Sequence, residues 1–170
     1  MDMKEILCKQ SKETRCYIMA AVMVFEGYKG IDELTEIDGE MKLNVLGLTK
    51  EEIESFPMPK NFAQIVAHLK PISDSEVRHW VICNTYAPVL KSGRSDALRD
   101  FRAFCVALGW DAKEIKEEME LTEDLFDIKP IDSGMSTSAS ANTNTSTSSG
   151  CLSIVALIIV ITVLCSFAFI

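Results

Sequence analysis

Apolar residues recur at helical spacing over residues 13–27, placing Tyr17, Ile18, Ala21, Val24 and Phe25 on one broad face. The same period predicts helices over 33–46, 50–56 and 61–70, with Pro57 and Pro59 breaking the chain before the last of these. A long helix is expected from Ser73 through Val77, Trp80, Val81, Asn84 and Tyr86, with a stop or kink at Pro88. Ser95 opens another, with Leu98, Phe101, Phe104, Cys105 and Leu108 turned inward and Gly109 closing it. The final helix runs from Ala112 to about Phe126. Its packed side is expected to hold Ile115, Met119, Leu121 and Leu125 beneath a charged outer side. No convincing period-two alternation appears, so the expected fold class is all-α, a multi-helix globular domain over residues 1–132.

Three helix starts carry the spacing of a capping box: Thr49 with Glu52, Ser73 with Glu76, and Asp111 with Glu114. Two of them sit in related surroundings. Leu46-Gly47-Leu48-Thr49-Lys50-Glu51-Glu52-Ile53 aligns with Leu108-Gly109-Trp110-Asp111-Ala112-Lys113-Glu114-Ile115 at an offset of 62. At that offset residues 17–26 fall on residues 79–88, so two related helical halves are expected. The order of helices and these two turns, LGLTKEEI and LGWDAKEI, resemble the tellurite-resistance TerB-like helical domain over roughly residues 14–126. That resemblance implies two helical halves and an acidic, cation-binding surface marked by an Asp-Gly pair after each long helix. The corresponding places here read Glu26-Gly27 and Lys91-Ser92-Gly93, the first keeping an acid and the second replacing it with a base.

Residues 151–170, CLSIVALIIVITVLCSFAFI, carry no charged side chain, and thirteen of the twenty are Leu, Ile, Val or Phe. A helix of that length spans the roughly 30 Å hydrocarbon core of a bilayer. Those thirteen residues contribute about −4 to −8 kcal/mol toward insertion, with no charge opposing them. The segment is therefore expected to be a single transmembrane anchor inserted from the cytosolic side as a tail anchor, leaving the N-terminal domain in the cytosol. Residues 1–14 are charged and contain no apolar signal-peptide core. Small residues near Ser140, a polar spacer and the apolar tail also fit a glycolipid-anchor signal, which would make this a surface protein. Between domain and anchor, residues 133–150 hold eleven Ser or Thr in eighteen and too little apolar surface to pack. As a flexible coil this linker spans about 23 Å. Asn144 heads a glycosylation sequon that matters only outside the cytosol, and Cys151 is a candidate for lipidation at the membrane edge.

Charge narrows the partners. All 25 acids and all 17 Lys and Arg lie in residues 1–132, giving that part the full net charge of −8. Nucleic acid and anionic lipid headgroups are repelled by such a domain, whereas a basic protein or a divalent cation is attracted. Glu26, Asp32, Glu33, Glu36, Asp38 and Glu40 crowd into fifteen residues, opposed in that window only by Lys29. Glu26, Asp32, Glu36 and Asp38 are the candidate ligands for Ca²⁺ or Mg²⁺, because a hard cation relieves clustered carboxylates. The EF-hand template fails, since placing Gly39 at its turn puts Leu34 and Val45 at the first and last ligand positions. Acids near a helix N-terminus are also explained by the macrodipole alone.

Catalytic motifs are missing: there is no GxSxG, phosphate loop, HExxH or GxGxxG. His79 and Cys83 have i, i+4 spacing but offer only two metal ligands, and both histidines, His68 and His79, are expected at the core or its boundary. Cys8, Cys16, Cys83 and Cys105 lack CxxC spacing and are expected as free, buried thiols. The expected role is non-catalytic: a tail-anchored helical domain that recruits or senses a partner, with a TerB-like cation-binding stress module as the alternative.

Overall fold

Asp2 begins the first element, its carboxylate accepting from the Lys4 backbone N–H at 3.4 Å to open α1 (Met3–Cys8). The structure, a computed structural model, describes residues 2–29 and 33–128, with the side chains of 33–36 outside that description. After α1 come α2 (Lys12–Lys29), α3 (Glu33–Leu46), α4 (Lys50–Glu54), α5 (Phe62–Leu69), α6 (Ser75–Ser92), α7 (Ser95–Leu108) and α8 (Ala112–Phe126). The described residues are all-helical and contain no strand. None of these helices is long and apolar enough to cross a membrane. The expectations for the linker, for the anchor at 151–170, for Asn144 and Cys151, and for Asp32 lie outside the described residues.

Local signals set several of the boundaries. Thr49 and Glu52 form the complete capping box: Thr49 Oγ1 accepts from the Glu52 N–H at 3.2 Å, and Glu52 Oε2 accepts from the Thr49 N–H at 2.9 Å. Asp111 caps α8 by accepting from the N–H groups of Lys113 and Glu114. Glu114 does not complete a box, because its carboxylate is turned to Arg78 instead. The start assigned to Ser73 is corrected by one residue. Asp74 is the N-cap, its Oδ1 accepting from Glu76 and Val77, and its negative charge suits the helix N-terminus better than a hydroxyl.

The stop expected at Gly27 does not occur, and of the stop or kink expected at Pro88 the stop does not. α2 runs past Gly27 to Lys29, held there by Tyr28, whose hydroxyl donates to Asp100 on α7 at 2.6 Å. α6 runs through Pro88 to Ser92 and closes on Gly93 in the left-handed conformation. A helix-interior proline costs about 3 kcal/mol. Val89 and Leu90, just beyond it, are both buried, and each is worth about 1.5–3 kcal/mol when buried. Packing outweighs the missing hydrogen bond. Conversely, α1 escapes the periodicity because six residues with two buried side chains, Ile6 and Leu7, make no visible repeat.

The core is built where α2, α5, α6 and α7 meet. Phe25 lies 5.3 Å from Phe104 and 5.6 Å from Phe101 between ring centroids, Phe62 lies 5.2 Å from Phe104, and Tyr86 stacks on Phe101 at 4.8 Å. Such ring pairs are favourable beyond their buried area. Helices of equal length recur along the chain: α2 and α6 have 18 residues each, α3 and α7 have 14 each. Gly47 and Gly109 both take the left-handed conformation, and Thr49 and Asp111 both cap the next helix. The offset is not constant, however. It is 62 from α3 onward but 63 between α2 and α6, because three residues separate α2 from α3 and two separate α6 from α7. Counted from the helix starts, Tyr17 shares its place with Trp80 and Glu26 with Val89.

Candidate functional site

Two carboxylates of the acid-rich segment meet a lysine. Lys42 lies on α3 two residues past the acidic window, and its Nζ donates to Glu26 on α2 and to Asp38 one turn earlier, the latter at 2.7 Å. Glu26 and Lys42 are 9% and 8% exposed, so this is a buried ion pair with Asp38 at its rim. Burial alone would lower the Lys42 pKa, but hydrogen bonds from its ammonium to Asp38 and Glu26 outweigh that and hold it above the ordinary lysine value. Of the four candidate ligands, the fold thus brings Glu26 and Asp38 onto one ammonium group. Asp32 and the side chain of Glu36 lie outside the described residues, among which no group of three or more metal-ligating side chains converges. Counted from the starts of helices of equal length, Glu26 and Lys42 take the places that Val89 and Phe104, both buried, hold in α6 and α7. The ion pair thus holds positions that α6 and α7 give to apolar groups. A lysine four residues after an aspartate on a helix was the signal available in the sequence.

The acids of α8 divide into two sets. Arg78 donates from Nε to Glu114 at 3.0 Å, with its Nη2 2.9 Å from the other carboxylate oxygen. His79 Nδ1 pairs with Glu118, Tyr86 donates to Glu123 at 2.7 Å, and the Lys91 ammonium lies 4.3 Å above the Phe126 ring. Residue numbers on α6 and α8 rise together along this seam, so the two helices run parallel. Burial, with the hydrogen bond to Glu123, raises the Tyr86 pKa, and Tyr28 is raised in the same way beside Asp100. Glu114, Glu118 and Glu123 are thereby committed to holding α8 on α6. Glu117, Glu120, Asp124 and Asp127 point outward, with Lys113 and Lys116 each 3.5 Å from the glutamate four residues on.

Leu121 and Leu125 belong with that outward set, which corrects the expectation that they pack inside. They are 57% and 72% exposed, while Ile115 and Thr122 are buried and Met119 packs against the core. The reason is angular. At about 100° per residue, Leu121 and Leu125 lie about 120° and 80° round the helix from Ile115. A leucine pair one turn apart, bordered by carboxylates, is what α8 presents to solvent.

No family model, curated protein or solved structure matches the chain.

The remaining reactive side chains are engaged in structure. His68 stacks on Tyr17 with centroids 3.6 Å apart, its Nδ1 lies 2.9 Å from the Gln64 carbonyl oxygen, and Glu13 stands 3.5 Å from Nε2. His79 is joined to Glu118 rather than to Cys83. All four cysteines of the described region are free thiols. Cys16 and Cys105 are buried, and burial pushes the Cys105 thiol up to about 12. Cys83 and Cys8 depart from the expected burial: Cys83 is only half-buried, and Cys8 ends α1 on its exposed side, 3.9 Å from the Arg15 guanidinium, which donates to the carbonyls of Leu46 and Gly47 at 2.6 and 2.9 Å.

Proposed function

We propose that this protein is a non-catalytic interaction module held at a membrane through residues 151–170, with its helical domain on the cytosolic side. The observation that carries the reading is the charge-free apolar run of twenty residues, set against a domain that bears every charge of the chain. The use of both histidines as braces between side chains, and of most buried charges as helix clamps, is consistent with a domain organised for binding rather than for proton transfer. The Ser/Thr-rich linker gives the domain a reach of about 23 Å from its anchor. Imaging an N-terminal fluorescent fusion with and without residues 151–170 tests the anchor: membrane signal is expected for the full chain and lost on truncation. Persistent membrane signal after truncation, or none before it, overturns the reading. Glycosylation at Asn144, or release by a phospholipase that cuts glycolipid anchors, would move the domain to the cell surface.

A second reading, a TerB-like cation-binding module, draws on the recurrence of matching helix lengths and left-handed glycines in two halves. In it a Ca²⁺ or Mg²⁺ ion replaces the Lys42 ammonium between Glu26 and Asp38, joined by Asp32 and Glu36. Calorimetric titration of the full chain separates the two: heat that Glu26→Gln abolishes supports the cation module, and no heat at roughly millimolar ion counts against it.

A further inference from the structure

We propose that the outward face of α8, centred on Leu121 and Leu125, docks a basic amphipathic segment of a partner protein. This rests on the reading of the domain as an interaction module and names the chemistry of its partner.

The face is set apart by what the seam with α6 leaves over. Glu114, Glu118 and Glu123 are used in clamping the helix. Glu117, Glu120, Asp124 and Asp127 remain outside; Glu117 and Glu120 lie 3.5 Å from the exposed Lys113 and Lys116, and beyond Lys116 the helix carries no base, so its last turns carry Asp124 and Asp127. Leu121 and Leu125, one turn apart and more than half exposed, stand among them. Apolar anchors beside an excess of negative charge select a partner that offers apolar side chains beside positive charge. The other occupants fit less well. A second copy brings the same carboxylates, and like charges across an interface are repulsive. An anionic bilayer surface is repelled for the same reason. The chain's own segment 151–170 has no charge to meet the acids. Ile37 and Met41 on α3, also exposed and one turn apart, serve as the internal comparison, because Asp38 beside them is held by the buried Lys42, whereas the lysines near Leu121 are exposed.

The test uses the full chain in non-ionic detergent, so that it is independent of whether residues 151–170 anchor the protein. A fluorescent peptide as long as α8, with leucines at i, i+3 and i+4 and lysines elsewhere, is titrated and followed by anisotropy. Saturable binding that weakens with added salt is expected, reduced about tenfold or more by Leu121→Ser with Leu125→Ser, and likewise by Glu117→Lys with Asp124→Lys. Ile37→Ser with Met41→Ser should leave it unchanged. All these positions are solvent-exposed, and circular dichroism verifies that each variant keeps its helix content. The proposal is overturned if the leucine variants bind as tightly as the wild type, or if a glutamate-for-lysine peptide binds equally. Sedimentation showing a dimer that Leu121→Ser with Leu125→Ser dissolves assigns the face to a second copy instead. Binding that strengthens when residues 151–170 are removed assigns it to the chain's own tail. A domain that binds the peptide yet fails to localise to membranes would refute the anchor alone.

Discussion

Lys42 shows how much a single side chain can change the meaning of its neighbours. Six acids in fifteen residues read as a cation site while the ammonium that meets two of them lies just past the window. Because Glu26 is buried, removing its partner is costly: Lys42→Met should destabilise the fold by about 3–5 kcal/mol in denaturant unfolding. Glu26→Leu with Lys42→Met should recover most of that loss, since buried ion pairs are often replaceable by apolar groups of similar volume. A double variant as unstable as the single one would show that the pair is required as such. Glycine presents the complementary case. Gly47 and Gly109 both have positive φ, at 61° and 65°. At Gly109 an added Cβ would stand 3.7 Å from its nearest neighbour, so Gly109→Ala should cost only the left-handed strain of about 1–2 kcal/mol. At Gly47 it would fall 2.7 Å from Cys8 Sγ and 2.9 Å from Arg15 Nη1, and Gly47→Ala should cost more. Thermal unfolding of the pair ranks them.

Elements were legible where one turn carried its own instructions. The expected bounds of α3, α7 and α8 match the observed ones because periodicity and caps act within a few residues. α1, the continuation through Gly27 and the extension of α6 beyond Pro88 to Ser92 were not legible, since each depends on side chains from other helices. Helix-to-helix bonds also carry a pH signature. Tyr28 pins α2 to α7 and Tyr86 pins α6 to α8, and both phenols ionise later in the folded chain than in the unfolded one, first through burial and then through their bonds to carboxylates. A raised tyrosine pKa contributes stability that is complete below the unfolded value near pH 10 and is lost as pH climbs through the folded value. Denaturant unfolding should therefore show stability falling above about pH 10, with a shallower fall for Tyr86→Phe.

At the scale of the molecule, charge and hydropathy are divided between different parts of the chain. The part that bears the whole charge of −8 should have no affinity of its own for anionic lipid. Vesicle flotation is expected to recover the full chain with both neutral and anionic vesicles, and the chain lacking residues 151–170 with neither. Residual flotation with anionic vesicles would show that the domain itself touches lipid. On the proposed reading, the same charge favours basic segments over anionic headgroups as partners of α8.

The sequence by itself determined the helical class, most helix bounds, the caps at Thr49 and Asp111, and the separation of an acidic body from an apolar tail. Those properties follow from residue type and from neighbours within one turn. Only the tertiary structure decided that Glu26 and Asp38 meet Lys42, that three acids of α8 clamp α6, and that Leu121 and Leu125 face water. Whether a charge is committed or available depends on which partner another helix brings within hydrogen-bond reach, and no local pattern encodes that distance.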